Sequence, residues 1–345
     1  MTEKKYKLQP LEKVSLDVQF SWTMGIIAKL LKITKKNLRK AKKIVSAPKY
    51  DDEILINGMP TQITFHYGFY GFIKKIKRKQ RKILAPHPKL QIVFRAIKDT
   101  LVEMEPTHEN AFGFVKKRNV QMAVRSLLGN AHFISFDIAD AFPSITAKMV
   151  ENSLKKLKLQ EELIQPLTHL VTCDYDQERR LPQGSSCSPA ILNLVYKPMC
   201  QEIDRVCGTH NISWFVYADD FNFAALVIPP QAKNELLAIP PKYGFSTKAS
   251  KTKDNLGKTI PHMLGLTIVD EKVHIRRRTK KKFRRILYMA WKYEAYSPQQ
   301  IRGVAVAIRQ TYGNEKNWPG WLKEYWIKYQ TKRQAEGGRY EKSAQ

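Results

Sequence analysis

The 345 residues carry 60 Lys and Arg against 31 Asp and Glu, a formal charge of +29, with enough apolar (43%) and aromatic (10%) residues for a sizeable core. No uncharged apolar run is long enough to span a bilayer, MTEKKYKLQPLEK at the start lacks the apolar stretch of a secretory leader, and Cys173, Cys187, Cys200 and Cys207 form no C-x-x-C pair. Those features argue against a membrane protein, a disulfide framework or a zinc knuckle, and lead us to expect a cytoplasmic protein with a polyanionic partner.

Taken in chain order, the first seventy residues read as a basic helical part. Phe20 to Leu31 is mostly apolar, and Leu30, Leu31 and Leu38 punctuate a basic surface running to Lys43. Seven of the nine residues Lys74 to Lys82 are basic, and Ile83-Leu84-Ala85-Pro86 then reads as a strand entering a turn. Leu90, Ile92, Val93, Ala96, Ile97 and Leu101 recur at helical spacing. His132 to Asp137 predicts a buried strand, a helix follows from about Thr146, and Ile212 to Phe223 predicts two strands joined by a tight turn. This order of strand, helices and strand–turn–strand is that of an α+β protein.

Three carboxylates stand in apolar surroundings. Asp137 follows Phe133-Ile134-Ser135-Phe136, while Asp219 and Asp220 interrupt Trp214-Phe215-Val216-Tyr217-Ala218 and Phe221-Asn222-Phe223. Adjacent ionised carboxylates repel each other and lose hydration next to a core, and a divalent cation relieves both costs. Taken singly, an Asp-Asp pair is ordinary turn chemistry and Asp137 an ordinary strand-end or capping residue. Taken together, Asp137 and Asp219 on neighbouring strands would hold two ions suited to in-line phosphoryl transfer.

Read together, these stretches resemble a reverse transcriptase. Phe136-Asp137-Ile138-Ala139-Asp140-Ala141-Phe142-Pro143-Ser144-Ile145 looks like the first metal-binding motif of the polymerase palm. Leu181-Pro182-Gln183-Gly184-Ser185-Ser186-Cys187-Ser188-Pro189 is similar to the LPQG…SP motif, and Phe215-Val216-Tyr217-Ala218-Asp219-Asp220 to the Y-x-D-D box. Gly244 to Thr252 resembles the lysine-bearing fourth motif, His262 to Leu266 the turn that grips the primer, and Lys74 with Arg81-Lys82-Ile83 the basic fingers strand. The resemblance covers about residues 70–270. It implies a right-hand polymerase: a basic helical part over 1–70, fingers and a ferredoxin-like palm over 71–270, and a helical basic thumb over 271–345.

The resemblance also assigns roles. Asp137, Asp219 and Asp220 would be catalytic and ligate two Mg²⁺ ions, with Mn²⁺ as the substitute and the Ile138 carbonyl completing one shell. The backbone at Asp140 and Ala141 would face the triphosphate of the incoming dNTP. Phe142, by itself an ordinary core aromatic, would sit under the sugar and exclude a 2′-hydroxyl. Gln183 and Gly184 would contact the nucleotide, and Lys74 and Arg81 would clamp its phosphates. Lys251 would protonate the leaving pyrophosphate, with Lys248 or Lys253 as alternatives. Leu264 and Gly265 would grip the primer. Arg276, Arg277, Arg278, Lys280, Lys281, Lys282, Arg284 and Arg285 would hold the phosphates of an RNA template and its DNA product. Tyr288, Trp291, Tyr293 and Tyr296 suit either base stacking or helix packing.

No ribonuclease H, integrase or endonuclease segment is expected after the thumb. The chain resembles the compact bacterial enzymes, namely retron and defence-associated reverse transcriptases, which implies a dedicated noncoding RNA and an effector protein as further partners and leaves self-association open. Two retron hallmarks are replaced. Met122-Ala123-Val124-Arg125-Ser126 stands for N-A-x-x-H, and Met263-Leu264-Gly265 for V-T-G. The same residues would also serve an untemplated or protein-primed nucleotide polymerase of the abortive-infection type.

Overall fold

Short β-branched and aromatic runs alternate with helical ones along the chain, and the elements follow that order. The structure is a computed structural model and describes residues 24–46, 50–56, 59–65, 69–76, 79–175, 178–248, 252–256 and 260–335. It begins with α1 (Met24–Leu30) and α2 (Lys35–Ser46), followed by two antiparallel hairpins, β1 (Tyr50–Ile56) with β2 (Met59–Phe65), and β3 (Phe69–Ile76) with β4 (Lys79–Pro86). Then come α3 (Gln91–Met104), α4 (Val120–Arg125), β5 (His132–Asp137), α5 (Ala147–Lys155) and α6 (Glu161–Val171). A small hairpin, β6 (Cys173–Tyr175) and β7 (Glu178–Arg180), precedes the long α7 (Ser188–Thr209). The chain continues with β8 (Ser213–Tyr217), β9 (Asp220–Ala225), α8 (Pro230–Lys242), β10 (Lys253–Asp254), β11 (His262–Met263), β12 (Leu266–Val269) and β13 (Lys272–Ile275). Three helices complete it, α9 (Arg277–Tyr293), α10 (Pro298–Tyr312) and α11 (Gly320–Ala335).

The helical reading of the first seventy residues holds for α1 and α2 and fails for 50–65, which form the β1–β2 hairpin. Ile54, Ile56, Thr61 and Ile63 supply β-branched side chains, and the Asn57-Gly58 dipeptide between the runs is a strong hairpin signal in sequence. A boundary at 270 falls inside the β12–β13 hairpin, where Val269 pairs with Lys272, so the helical part starts only at Arg277.

The central sheet has the order β10-β5-β9-β8, and every neighbouring pair is antiparallel. Side chains alternate across it. Ile134, Phe136, Trp214, Val216, Phe221 and Phe223 pack with α3 and α5 to α8 in one core, where Phe136 stacks on Phe221 at 5.2 Å between ring centroids. Phe133, Phe215 and Ala224 point the other way, into a second core with α4, β11 to β13 and α9 to α11. Both faces are thus covered at one end of the sheet, which is why these strands read as nearly continuous apolar runs. Elsewhere the second face carries Asp137, Ser135, Asp220 and Asn222, the last paired across the strands with Phe215. Among the described residues no helix is long and apolar enough to cross a membrane.

Candidate active site

Asp137 ends β5 and is the direct cross-strand partner of Asp220, the first residue of β9. Tyr217 pairs with Asp220, leaving Ala218 and Asp219 as the two central residues of the β8–β9 turn. Ala218 has φ 59, the left-handed conformation that tight hairpins need at this position and that an alanine adopts only at a cost. The Ile138 amide donates to the Asp219 carbonyl at 2.9 Å, tying the end of β5 to that turn. Lys248 donates its amide to the Asp137 carbonyl at 3.0 Å, and Ala139 donates to Ser246 at 2.7 Å, so the 246–248 segment braces the same strand end.

Downstream of Asp137 the chain turns tightly. Asp140 has φ 44, its carbonyl accepts from Ser144, and its exposed carboxylate lies 3.5 Å from the Lys248 ammonium. Ala141 is buried, and Phe142 is half-buried with its ring edge-on to Phe114 at 6.4 Å. The LPQG stretch is stitched to this turn, since the Leu181 amide donates to the Ile145 carbonyl at 2.9 Å. It is joined on the other side to β4, where Leu84 donates to the Gln183 carbonyl at 3.0 Å. Gly184 has φ 141, and a Cβ there would lie 2.7 Å from the Leu84 carbonyl oxygen, so both conformation and space require glycine. The structure therefore sets Asp137, Asp219 and Asp220 side by side and ties the Gln183-Gly184 stretch to the turn that carries Phe142.

Lys74 and Arg81 are backbone register partners in the β3–β4 hairpin, and their side chains lie outside the described residues. Lys251 also lies outside the described residues. Leu264 and Gly265 form the β11–β12 turn with φ 51 and 85, and the Gly265 carbonyl accepts from Arg276 at 3.0 Å, linking this turn to the start of α9. Along α9, Leu287 and Ala290 are buried, whereas Arg276, Arg277, Arg278, Lys281, Lys282, Arg284 and Arg285 are exposed and Lys280 half-exposed. Tyr288 and Trp291 pack against Tyr325 of α11, at 5.6 and 6.2 Å, while Tyr293 is exposed.

Two neighbours of the site escaped the sequence reading. The 110–113 segment runs beside β8, with the Val216 amide donating to Asn110 at 2.9 Å and the Phe112 amide to Val216 at 2.8 Å. A Cβ on Gly113 would lie 2.3 Å from the Ala218 nitrogen, so this glycine lets the backbone pass directly against the carboxylate turn. Asn193 of α7 donates to the Gly113 carbonyl at 3.1 Å. Neither contact has a local sequence signature, because each joins segments far apart in the chain.

Burial raises the Asp220 carboxyl to about 6, with the Asp219 charge adding to the rise and Lys253 and Asn222 opposing it. Among the described residues no group of three His, Cys, Asp or Glu side chains converges as a ready metal cage. Mg²⁺ ordinarily takes one or two carboxylates together with substrate phosphates and waters, which the Asp137–Asp220 pair and the adjoining Asp219 can supply. An acid whose native pKa exceeds its unfolded value destabilises the fold at high pH. Here that cost grows as pH rises from about 4 and is complete above about 6. Asp220→Asn is therefore expected to stabilise the metal-free protein at pH 7.5 by about 2–3 kcal/mol, raising Tm by several degrees in chelator, with little change at pH 4. An unchanged difference between the two pH values would refute this electrostatic origin.

The family profile described as Reverse transcriptase (RNA-dependent DNA polymerase) matches residues 73–268. The chain is 25% identical over 242 residues to the retron Ec86 reverse transcriptase of Escherichia coli, covering 69% of this chain and 74% of that protein. It is 28% identical over 167 residues to the retron Mx162 reverse transcriptase of Myxococcus xanthus, covering 44% and 34%. Among solved structures, telomerase from Candida albicans with a fragment of telomeric RNA aligns at TM-score 0.46 and 11% identity, covering 76% of this chain and 56% of that one. Apo telomerase from Candida tropicalis aligns at 0.43 and 13%, covering 73% and 60%. The chain thus spans little more than half of those telomerase chains.

Proposed function

This chain belongs to the reverse transcriptase family, the RNA-dependent DNA polymerases, and we propose that it extends a primer on RNA by two-metal phosphoryl transfer at Asp137, Asp219 and Asp220. The observation that carries the reading is the cross-strand pairing of Asp137 with Asp220 beside the turn that holds Asp219. The unit from β5 to β10 has the strand and helix order of a ferredoxin-like fold, supporting its assignment as the palm. The hairpins before it would be fingers and α9 to α11 the thumb.

Asp137 and Asp219 would ligate two Mg²⁺ ions, which when bound stabilise the attacking and leaving oxygens of the displacement. Asp220 and the Ile138 carbonyl would complete the donor set. Gln183, held between the Ile145 end of the turn and β4, would orient the nucleotide, and Lys74, Arg81 and Lys251 would meet its phosphates. Leu264 and Gly265 would grip the primer, and the exposed cations of α9 would hold the duplex. We further infer, from the sequence resemblance alone, a dedicated noncoding RNA as the template and a role in antiviral defence.

Phe142 would set sugar choice if, as the resemblance implies, its ring lies under the sugar and excludes a 2′-hydroxyl. Phe142→Ala is expected to reduce the preference for dNTP over rNTP by about 10- to 100-fold in kcat/KM, chiefly by admitting rNTP. Unchanged selectivity with intact dNTP incorporation would refute this role. The reaction itself is tested on a primed RNA of defined sequence: the product should be complementary DNA requiring template, dNTPs and Mg²⁺. Incorporation that persists without template would instead support the untemplated alternative.

A further inference from the structure

One face of α7 runs beneath the turn that carries Asp219. Asn193 donates to the Gly113 carbonyl, and Gly113 in turn abuts the Ala218 nitrogen. Tyr196 lies three residues further along the helix, on the same face. Its side chain is 1% exposed, and its ring meets Phe245 edge-on at 5.0 Å and Phe221 at 6.0 Å between centroids. Both contacts belong to segments that place carboxylates. Phe221 follows Asp220 in β9, and Phe245 precedes Ser246, whose carbonyl accepts from the Ala139 amide just beyond Asp137. The Tyr196 ring thus packs under the ends of both strands.

The Tyr196 hydroxyl has no hydrogen-bond partner among the described residues. A buried tyrosine ordinarily finds one, and an orphaned donor keeps the full penalty of leaving water. Packing does not call for that oxygen, since a phenylalanine would make the same ring contacts with Phe221 and Phe245. The Asp219 carboxylate, at the half-buried turn, likewise accepts no hydrogen bond among the described residues. Burial first, and then the Asp219 charge, push the phenol well above its usual range, so it remains a donor. An unused donor on the core side of the sheet thus adjoins an unused acceptor at the turn above it.

We propose that Tyr196 is a positioning residue for Asp219, its hydroxyl donating to that carboxylate from the core side and fixing the orientation in which Asp219 would hold the ions. The Asp219 side chain makes no other bond among the described residues, so turning it toward the hydroxyl breaks none. The inference rests on the two-metal reading of the carboxylates. A donor to a ligating carboxylate typically carries about 10- to 100-fold in metal affinity or activity, which accounts for a hydroxyl that the core does not require. Tyr196 itself touches neither substrate nor ion.

The test compares Tyr196→Phe and Tyr196→Leu with wild type in Mn²⁺ binding without nucleic acid, read from the EPR signal of the free ion. The site is defined as the binding that Asp219→Asn removes. Its Mn²⁺ affinity should fall about tenfold in Tyr196→Phe. In chelator the same variant should melt no lower than wild type, because an unpaired hydroxyl leaves the core. Single-turnover primer extension should slow about tenfold at limiting Mg²⁺ and return to within about twofold of wild type at saturating Mg²⁺, with primer–template affinity unchanged. Mn²⁺ affinity within about twofold of wild type in Tyr196→Phe overturns the proposal. If Tyr196→Leu alone loses affinity, the ring and not the hydroxyl is what matters. A Tyr196→Phe variant that melts several degrees below wild type in chelator assigns the hydroxyl to packing and also overturns the proposal. Wild-type protein with no Mn²⁺ binding that Asp219→Asn removes overturns the two-metal reading itself, whereas binding that Tyr196→Phe leaves intact overturns this assignment alone.

Discussion

Asp219→Asn is expected to lower single-turnover primer extension on RNA by at least about a thousandfold, equivalent to about 4 kcal/mol of transition-state stabilisation. Asparagine keeps the size of the side chain, and the backbone contact that secures the turn, from the Ile138 amide to the Asp219 carbonyl, is untouched. The fold should persist, and removing a charge beside Asp220 should not lower Tm, because the Asp219 charge contributes to the raised Asp220 carboxyl. Primer–template affinity without metal should be unchanged or tighter, since one negative charge leaves the cleft. The proper comparison is Asp99→Asn on the exposed side of α3, which should extend primers at the wild-type rate. Activity of Asp219→Asn within tenfold of wild type at saturating dNTP and Mg²⁺ would remove the two-metal mechanism from this site.

The carboxylates were legible because they violate the pattern around them. An aspartate closing a buried strand and a pair inside an aromatic hairpin are costly unless something compensates, whereas the pairing of Asp137 with Asp220 emerges only from the register of β5 with β9. The strands β5, β8 and β9, the helix capped by Thr146 and the helical spacing from Leu90 to Leu101 follow from periodicity and capping alone. The hairpin over 50–65 was obscured by the basic, helix-like composition ahead of it, although Asn57-Gly58 carried the relevant turn chemistry. What no local pattern holds is the meeting of distant segments. The same apolar strand serves two cores, with Ile134 and Phe136 in one and Phe133 in the other, and only the placement of α9 to α11 decides where the second core stops. Lys253 is an ordinary basic residue in sequence until its register with Ser135 puts it one row from the carboxylates.

Gly113→Ala should be nearly as damaging as loss of a carboxylate, with at least about a hundredfold lower extension rate and a stability loss of about 1–3 kcal/mol. The added methyl would meet the Ala218 nitrogen at 2.3 Å and the Tyr217 carbonyl carbon at 3.0 Å, both backbone atoms that no rotamer change can move aside. Relief requires separating the 110–113 segment from β8, which breaks its bonds to Val216, or pushing the Ala218-Asp219 turn away from Asp137. Ala218 is already in a left-handed conformation, so the turn has little further freedom to absorb the shift. Displacing the carboxylates relative to one another by a fraction of an ångström to an ångström misaligns the reacting oxygens, which is why the rate should fall far more than the fold weakens. Gly208→Ala supplies the contrast. That glycine lies in α7 with no heavy atom within 4 Å of an added Cβ among the described residues, so alanine should stabilise by about 0.5–1 kcal/mol and leave the rate unchanged. Binding of primer–template to Gly113→Ala should stay near wild type, because the cations of α9 do not depend on this contact. A variant that retains the wild-type rate would mean that the segment yields without moving the turn, and that Gly113 serves packing alone.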